Sequence, residues 1–251
     1  MARLKFSTSP PIGHRANLGL IVLQADETIE HEFRRLIREP GVALYVTRIP
    51  SGPSVTSESL KAMETALPAT TALFPPSLGF NVIGYACTSG ATIIGSETVA
   101  RLVASAAKVE TVTDPLAAVV AACHVLKVKR LGFVTPYVLD VSAAMRAALE
   151  QQGLEISAFG SFEQAEEGTV ARIDPTSVLD AALQIGKADC DAVFLSCTNL
   201  RTLDIIAPAE AQLGKPVLTS NQALAWHMLR NAGIEGAGPE FGALMGRTLY
   251  D

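Results

Sequence analysis

Residues 80–88 read FNVIGYACT and residues 190–198 read CDAVFLSCT, so two distant stretches of the chain share one plan. In each, a short apolar run ends in a Cys-Thr pair, and the two cysteines, Cys87 and Cys197, lie 110 positions apart. Runs with so few polar residues are typical of strands that are covered on both faces of a parallel sheet. The repeat therefore predicts two similar α/β halves, each with a cysteine at the end of an internal strand.

A second, weaker repeat follows the two cysteine segments. Residues 111–115 read TVTDP and residues 217–221 read VLTSN. Because no low-complexity linker separates the halves, we expect the chain to cross between them more than once, near Thr113 and back near Ser220. The predicted division is a first α/β domain of residues 1–112 and 220–251 that carries Cys87, and a second α/β domain of residues 113–219 that carries Cys197.

The rest of the chain alternates short β-branched runs with longer amphipathic stretches. We predict strands at residues 18–23, 42–47, 80–86, 110–112, 130–135, 154–159, 192–196 and 216–218. The predicted helices include residues 28–38, 115–126, 141–152 and 202–213. Such alternation indicates βαβ units in parallel sheets with helices on both faces.

Composition and charge limit the classes of function. The chain has 251 residues, 49% of them hydrophobic and 18% charged, as in soluble globular proteins. Its formal net charge is −5 without any basic block, so we expect no nucleic-acid and no membrane partner. No apolar run approaches the roughly 20 residues that span a bilayer, and the N-terminal residues lack the pattern of a signal peptide. With only four cysteines, these features favour a cytoplasmic location.

The two Cys-Thr segments are candidate sites because ligands of open parallel sheets bind beyond the carboxyl ends of the strands. We expect each cysteine to lie at such an end, directly before a helix. A helix N-terminus offers unpaired N–H groups and a partial positive charge, which lower the pKa of a thiol. The same amides are suited to hold a carboxylate, together with the side chains of Thr88, Ser89, Thr198 and Asn199.

Two such segments that face each other would place one sulfur on each side of a small substrate. That arrangement suits removal of a proton from one face of a carbon and its return to the other face. It also suits addition of one thiolate to an activated double bond while the other thiol acts as the acid. A single cysteine at a strand end is more often a buried structural residue, so the prediction depends on the pair.

The remaining cysteines and the common cofactor motifs give no second candidate site. Cys123 lies in the apolar stretch AAVVAACHVLKV and Cys190 precedes a predicted strand, so we expect both to be structural. No Cys-x-x-Cys or His-x-x-x-His spacing occurs, and no metal site is expected. No Gly-x-Gly-x-x-Gly follows the first predicted strand and no Walker-type loop occurs, so no cofactor is expected either.

Five segments resemble the Asp/Glu racemase superfamily, in its branch of maleate cis-trans isomerases, arylmalonate decarboxylases and ectoine-utilisation racemase-like proteins. The segments are GYACTSG (84–90), RLGFVTPYVLDV (130–141), EGTVARIDP (167–175), FLSCTNLRTLD (194–204) and PVLTSNQALAW (216–226). The resemblance covers nearly the whole chain. It implies two pseudo-symmetric, flavodoxin-like (Rossmann-like) parallel-sheet domains, with a cofactor-independent active site between them. It also implies a homodimer or a higher homo-oligomer.

By this resemblance, Cys87 and Cys197 are a catalytic pair that acts on a small carboxylate or dicarboxylate. Tyr137 matches a tyrosine that donates a hydrogen bond to the substrate carboxylate, whereas from its own context it would be a half-buried loop aromatic. The other positions that match carboxylate-binding residues of the family are Thr88 and Ser89, with the backbone at Thr198 and Asn199.

Three departures from the family pattern bear on the substrate. The decarboxylases carry glycine at the position of Cys87, so the cysteine here argues against decarboxylation. In maleate isomerases the loop after the first strand holds an asparagine that contacts a substrate carboxylate, whereas residues 23–28 here read LQADET, with Asp26. A second amide expected before ARID is not evident in EQAEEGTV (163–170). The last two departures weigh against maleate, because an ionised Asp26 repels a dicarboxylate.

Asp26 has two interpretations. It can act as the N-cap of the helix that is predicted to begin near Thr28, which is a common role of aspartate. Alternatively, it recognises an ammonium or amide group of an amino-acid-like substrate.

The sequence thus predicts a cofactor-independent isomerase or racemase in which two opposed cysteines act as acid and base or as nucleophile and acid. Two alternatives stay open. One is an arylmalonate-type decarboxylase that uses Cys197 alone as its proton donor. The other is a catalytically silent binding protein for small carboxylates on the same scaffold.

Overall fold

The computed structural model describes residues 1–236 and 238–251, in which eight strands form two sheets. The strands are β1 (Ala16–Leu23), β2 (Val42–Ile49), β3 (Phe80–Ala86), β4 (Val109–Thr113), β5 (Arg130–Thr135), β6 (Glu155–Ser161), β7 (Ala192–Leu195) and β8 (Val217–Thr219). The α-helices are α1 (Ile29–Leu36), α2 (Ser57–Thr71), α3 (Thr88–Ile94), α4 (Ser96–Ala104), α5 (Pro115–Val125), α6 (Leu139–Gln151), α7 (Glu167–Val170), α8 (Pro175–Gly186), α9 (Ile206–Leu213) and α10 (Ser220–Asn231). Short 3-10 helices cover Leu203–Ile205, Pro239–Phe241 and Ala243–Gly246. No described helix combines the length and the hydropathy that a membrane span needs.

The two sheets have the same topology. Their strand orders are β2-β1-β3-β4 and β6-β5-β7-β8, and all neighbouring strands in both are parallel. All four strands of each half thus occupy equivalent places in their sheet. The predicted α/β class with two similar parallel halves is confirmed.

The internal strands β3 and β5 match their predicted bounds, whereas the internal strand β1 begins two residues before its predicted start. The edge strand β2 extends two residues further, to Ile49, and the edge strand β6 is shifted to Glu155–Ser161. Every residue of β7 is buried, while no residue of β6 is fully buried. An internal strand carries a nearly continuous apolar signal, and a half-exposed edge strand does not.

Helix α10 returns the chain from the second sheet to the first. It begins directly after β8 with a capping box formed by Thr219 and Gln222, and it packs against α5 and against β3. Its aromatic residue Trp226 is fully buried and donates a hydrogen bond to the carbonyl oxygen of Arg247 (2.9 Å). The domain division at Thr113 and Ser220 stays a prediction: the packing of α10 on β3 agrees with it, whereas α5 belongs to the predicted second domain.

A buried carboxylate, Glu32 of α1, joins three parts of the chain. Its oxygens accept hydrogen bonds from the backbone N–H groups of Thr202 (2.7 Å) and Leu203 (2.9 Å) and from the side-chain amide of Asn221 on α10 (2.8 Å). Burial raises the pKa of Glu32 from its ordinary value of 4.5 to about 7, although these hydrogen bonds lower it in part.

This raised pKa predicts a pH-dependent stability. Between about pH 4.5 and 7 the folded protein holds a proton at Glu32 that the unfolded chain releases, so the free energy of unfolding falls as the pH rises through this window. We expect Glu32→Gln to reduce this fall by up to about 3 kcal/mol. Urea unfolding at pH 5 and pH 8 measures the effect. The exposed Glu97→Gln serves as the control and should keep the wild-type pH dependence; an E32Q protein with the wild-type slope contradicts the assignment.

Candidate active site

Cys87 lies at the end of β3 and caps α3, as the sequence predicts. Its Sγ accepts a hydrogen bond from the backbone N–H of Gly90 (3.1 Å) and lies 3.6 Å from Oγ of Ser89. Gly90 is required for this fit, because a Cβ at that position would lie 2.9 Å from the Cys87 sulfur and 2.5 Å from the hydroxyl oxygen of Tyr85. The thiol is only 3% exposed.

Cys197 lies at the end of β7, but the prediction that a helix follows it directly is wrong. A turn at residues 198–200 comes next, and the first helical residue is Leu203. The Cys197 Sγ accepts a hydrogen bond from the backbone N–H of Asn199 (3.2 Å). The residue has φ +147°, a conformation that is strained for a side chain with a Cβ. The turn is held by its neighbours, including the Asn221 side-chain amide, which donates to the Thr198 carbonyl (2.8 Å).

The hydroxyl of Ser220 connects the two cysteine segments. Its Oγ accepts a hydrogen bond from the Cys197 backbone N–H (3.0 Å) and shares a second hydrogen bond with Oγ1 of Thr88 (2.8 Å). Close by, the Thr198 hydroxyl donates to the carbonyl oxygen of Ala86 (3.4 Å). The two segments that the repeat singled out are therefore in direct contact across the two halves of the molecule.

Both thiols are protonated in this closed site. Burial raises the pKa of Cys87 to about 12 and raises that of Cys197 well above its ordinary value. Hydrogen bonds to each sulfur lower these pKa values, but by less than desolvation raises them. The expectation that a helix N-terminus lowers both pKa values is therefore wrong, because removal of water outweighs the local dipoles.

Tyr137 is buried next to both cysteines rather than half-exposed on a loop. It is 3% exposed, and burial raises the pKa of its hydroxyl well above the ordinary value, with further contributions from Cys197, Glu167 and Cys87. The Tyr137 side chain in turn lowers the pKa of the Cys197 thiol. Tyr137 thus lies where a hydroxyl donor can reach a group held between the sulfurs.

Glu167 is a residue of this site to which sequence reasoning gave no role. Its carboxylate accepts a hydrogen bond from the side-chain amide of Asn199 (2.8 Å), and burial raises its pKa to about 7. Its charge raises the pKa of both Cys87 and Cys197, so it lies near both sulfurs. The available signal was its place in the segment EGTVARIDP, where the expected amide was missing.

Asp26 also lies in the site, and its carboxylate caps the start of α1 as expected, although the N-cap position itself is Thr28. Its Oδ1 accepts hydrogen bonds from the backbone N–H groups of Thr28 and Ile29 at the start of α1 (both 2.8 Å). The residue is 4% exposed, and burial raises its pKa to about 6. The Thr198 side chain lowers this pKa, and Asp26 in turn raises that of Cys197. The carboxylate thus adjoins the Cys197 turn.

Several side chains expected to hold a substrate carboxylate make internal hydrogen bonds here. Thr88 is bound to Ser220 and Thr198 to Ala86, while Asn199 accepts from the Glu27 backbone N–H (2.9 Å) and donates to Glu167. Their role in substrate binding stays a prediction. Within residues 1–236 and 238–251, no group of three His, Cys, Asp or Glu side chains is placed to hold a metal ion.

A backbone bridge between the two halves lies over Glu167. The Val55 N–H donates to the Ala165 carbonyl (2.9 Å), and the Glu167 N–H donates to the Pro53 carbonyl (2.9 Å). The Ser54 hydroxyl bonds the Glu166 carboxylate at the same place. Glu167 also lines an open surface cavity with Pro53, so this residue stands between solvent and the buried thiols.

The role of Ser220 as connector predicts a stability effect. Ser220→Ala leaves the buried Cys197 N–H and the Thr88 hydroxyl without their partner, so we expect a loss of about 2 to 4 kcal/mol in the free energy of unfolding, measured with urea. Ser105→Ala is the control, since that hydroxyl is exposed and bonds only within its own helix end, to the Leu102 carbonyl. If S220A unfolds like the wild type, the connection contributes no stability.

Comparisons with known proteins agree with this geometry. A family model described as arylmalonate decarboxylase matches residues 76–245. The maleate isomerase of Pseudomonas putida is 28% identical to this chain over 242 residues, which cover 91% of this chain and 96% of the isomerase. The arylmalonate decarboxylase of Bordetella bronchiseptica is 33% identical over 118 residues, which cover 46% of this chain and 49% of the decarboxylase. A structure of a mutant Nocardia farcinica maleate cis-trans isomerase, with a covalently bound succinylcysteine intermediate, aligns with TM-score 0.79 and 25% identity over 92% of this chain and 98% of its own. The chain belongs to the arylmalonate decarboxylase family.

Proposed function

We propose that the protein is a cofactor-independent cis-trans isomerase of a small unsaturated carboxylate, with Cys87 and Cys197 as its two reacting groups. The observation that carries this proposal is the pair of buried thiols at the ends of β3 and β7, whose segments are joined through Ser220. Similarity to maleate isomerases over 91% of the chain supports it, as does the cysteine-bound intermediate in the Nocardia enzyme.

The reaction needs one thiolate and one thiol. The thiolate adds to one carbon of the double bond, and the electron pair moves to the neighbouring carbon, where the substrate carboxylate stabilises it. The second thiol protonates that carbon and becomes a thiolate. After rotation about the new single bond, the second sulfur takes the proton back and the carbon–sulfur bond breaks, which restores the first thiolate. No net oxidation occurs, and no cofactor enters the balance.

Formation of the first thiolate requires that the site opens to water. Burial is the largest cause of the raised pKa of both thiols, so hydration of the site lowers these values. Separation of the bridge between residues 53–55 and 165–167 would admit both water and substrate. In this proposal the thiolate forms in the open site, and the substrate enters before the bridge closes again.

Neutral donors hold the substrate carboxylate in this proposal. The candidates are the hydroxyls of Thr88, Ser89 and Tyr137, with the backbone at Thr198 and Asn199. In a site from which water is excluded, such donors stabilise negative charge more strongly than they would in water. They also stabilise the charge that develops on the carboxylate while the carbon–sulfur bond forms.

A decarboxylase is the second candidate, because the matching family model is described as arylmalonate decarboxylase. That reaction would need only Cys197 as a proton donor. The presence of Cys87, a second buried thiol whose neighbour Thr88 is hydrogen-bonded to Ser220, favours the two-thiol reaction instead. A silent binding protein on this scaffold would need neither sulfur.

Cysteine variants test the proposal. We expect Cys87→Ala and Cys197→Ala each to lower kcat by about 10³-fold or more, because each removes one of two groups that the reaction needs. The assay follows cis-trans conversion by proton NMR across maleate, its monoamide and cis-4-aminobut-2-enoate. Cys123→Ala and Cys190→Ala are matched controls, since both thiols are buried but lie outside the site.

Other outcomes decide between the alternatives. Release of carbon dioxide from a malonate-type acid that survives loss of Cys87 would identify a decarboxylase. The two-thiol proposal is contradicted if either C87A or C197A keeps the wild-type turnover. It is also contradicted if the wild-type protein binds ligands but converts none of the compounds.

A further inference from the structure

We propose that the substrate carries a cationic group, such as a primary ammonium, at the end opposite its reacting carboxylate, and that Asp26 and Glu167 bind this group. The inference specifies the substrate class of the isomerase proposed above and rests on that function. It depends on three observations: an unpartnered carboxylate oxygen, a second carboxylate held beside it at the Cys197 turn, and the lack of an ion pair at either carboxylate.

The first observation is the unpartnered oxygen of Asp26. Its Oδ1 is used by the start of α1, but its buried Oδ2 has no hydrogen-bond partner among the described residues. The nearby Thr198 hydroxyl donates to the Ala86 carbonyl instead. A buried polar atom without a partner is destabilising, so Oδ2 is placed to accept from a donor that the free protein does not supply.

The second observation is the position of Glu167. Asn199 connects the two acidic segments, because its Oδ1 accepts from the backbone N–H next to Asp26, that of Glu27 (2.9 Å), and its amide donates to Glu167 (2.8 Å). The charge of Asp26 raises the pKa of Glu167. Two carboxylates are thus held against one side of the Cys197 turn by a single amide.

The third observation is that the nearby cations are engaged elsewhere. Arg48 pairs with Glu30 and donates to backbone carbonyls, including that of Asp26 (3.0 Å), rather than to the Asp26 carboxylate. Arg172 pairs with the exposed Glu27 (3.0 Å). Among the described residues, neither Asp26 nor Glu167 has an ion pair.

These charges discriminate between two kinds of small substrate. A second carboxylate would be brought into a buried site that already holds Asp26 and Glu167, where like charges repel strongly because water is excluded. An ammonium would supply donors to Asp26 Oδ2 and Glu167 and would neutralise part of their charge. A cationic group of the substrate would supply the ion-pair partner that the described side chains do not give to Asp26 and Glu167.

A pair of unreactive four-carbon probes tests this assignment independently of the chemistry. 4-Aminobutanoate and succinate differ only in whether the second terminus is an ammonium or a carboxylate. We expect wild-type protein to bind 4-aminobutanoate about tenfold more tightly than succinate in calorimetry. Asp26→Asn and Glu167→Gln should each reduce this ratio, and the double variant should reverse it. Both amides can keep the existing hydrogen bonds to Thr28, Ile29 and Asn199, so folding should be retained; thermal unfolding checks this.

Glu27→Gln is the matched control. It removes a carboxylate next to Asp26 in the chain but one that is exposed and paired with Arg172, so the preference should remain at the wild-type ratio. Succinate binding more tightly than 4-aminobutanoate to the wild type, or an unchanged ratio in both D26N and E167Q, would overturn the proposal. The cysteine variants lose turnover but not this preference if both proposals hold. If the cysteine variants keep their turnover, only the two-thiol reaction is contradicted, and the proposed binding of a cationic group is not.

Discussion

The hydroxyl group of Ser220 joins the two segments that carry the cysteines. Ser220 is the first residue of α10, and it binds both the backbone of Cys197 and the side chain of Thr88, 132 positions away in the sequence. It thereby fixes the separation of the segments that carry the two thiols. The carboxylate of Glu32 reinforces the same junction, since it binds Asn221 and the backbone at Thr202 and Leu203. The geometry of the site depends on these polar contacts of Ser220 and Glu32.

Burial and local dipoles act in opposite directions on the thiols, and burial has the larger effect. The amide of Gly90 stabilises negative charge on Cys87, yet the pKa of that thiol remains near 12. The same desolvation raises the pKa values of Glu167, Asp26 and Glu32. Exclusion of water is therefore the largest influence on the pKa values of all these groups. When the site opens to water or is occupied by a substrate, these pKa values change together.

The sequence predicted what local patterns encode. The apolar runs of β3 and β5, the cysteines that follow β3 and β7 and the capping role of Asp26 are all readable within a few residues. What it missed depends on contacts between distant residues. Glu167 stands in an unremarkable acidic stretch and belongs to the site only because Asn199, 32 positions away, binds it.

The turn after Cys197 shows a different limit of sequence reasoning. The two Cys-Thr segments have similar sequences, but Cys87 is followed by helix α3, whereas Cys197 is followed by a turn and has the strained φ of +147°. Sequence likeness between repeats therefore identified equivalent strands correctly without identifying equivalent backbone conformations. The homo-oligomer that the family resemblance implies also stays a prediction.

The bridge over Glu167 has a consequence for the fate of hydrogen isotopes. While residues 53–55 and 165–167 are paired, a hydrogen that leaves a substrate carbon for either sulfur has no bulk water to exchange with. A label held on the sulfur returns to the carbon only when the reaction runs backwards on the bound product, and it does so unless the bridge opens first. The fraction of label that escapes to solvent therefore compares two rates, that of opening and that of chemistry. The fraction of label that is retained therefore measures how fast the bridge opens relative to the chemical step.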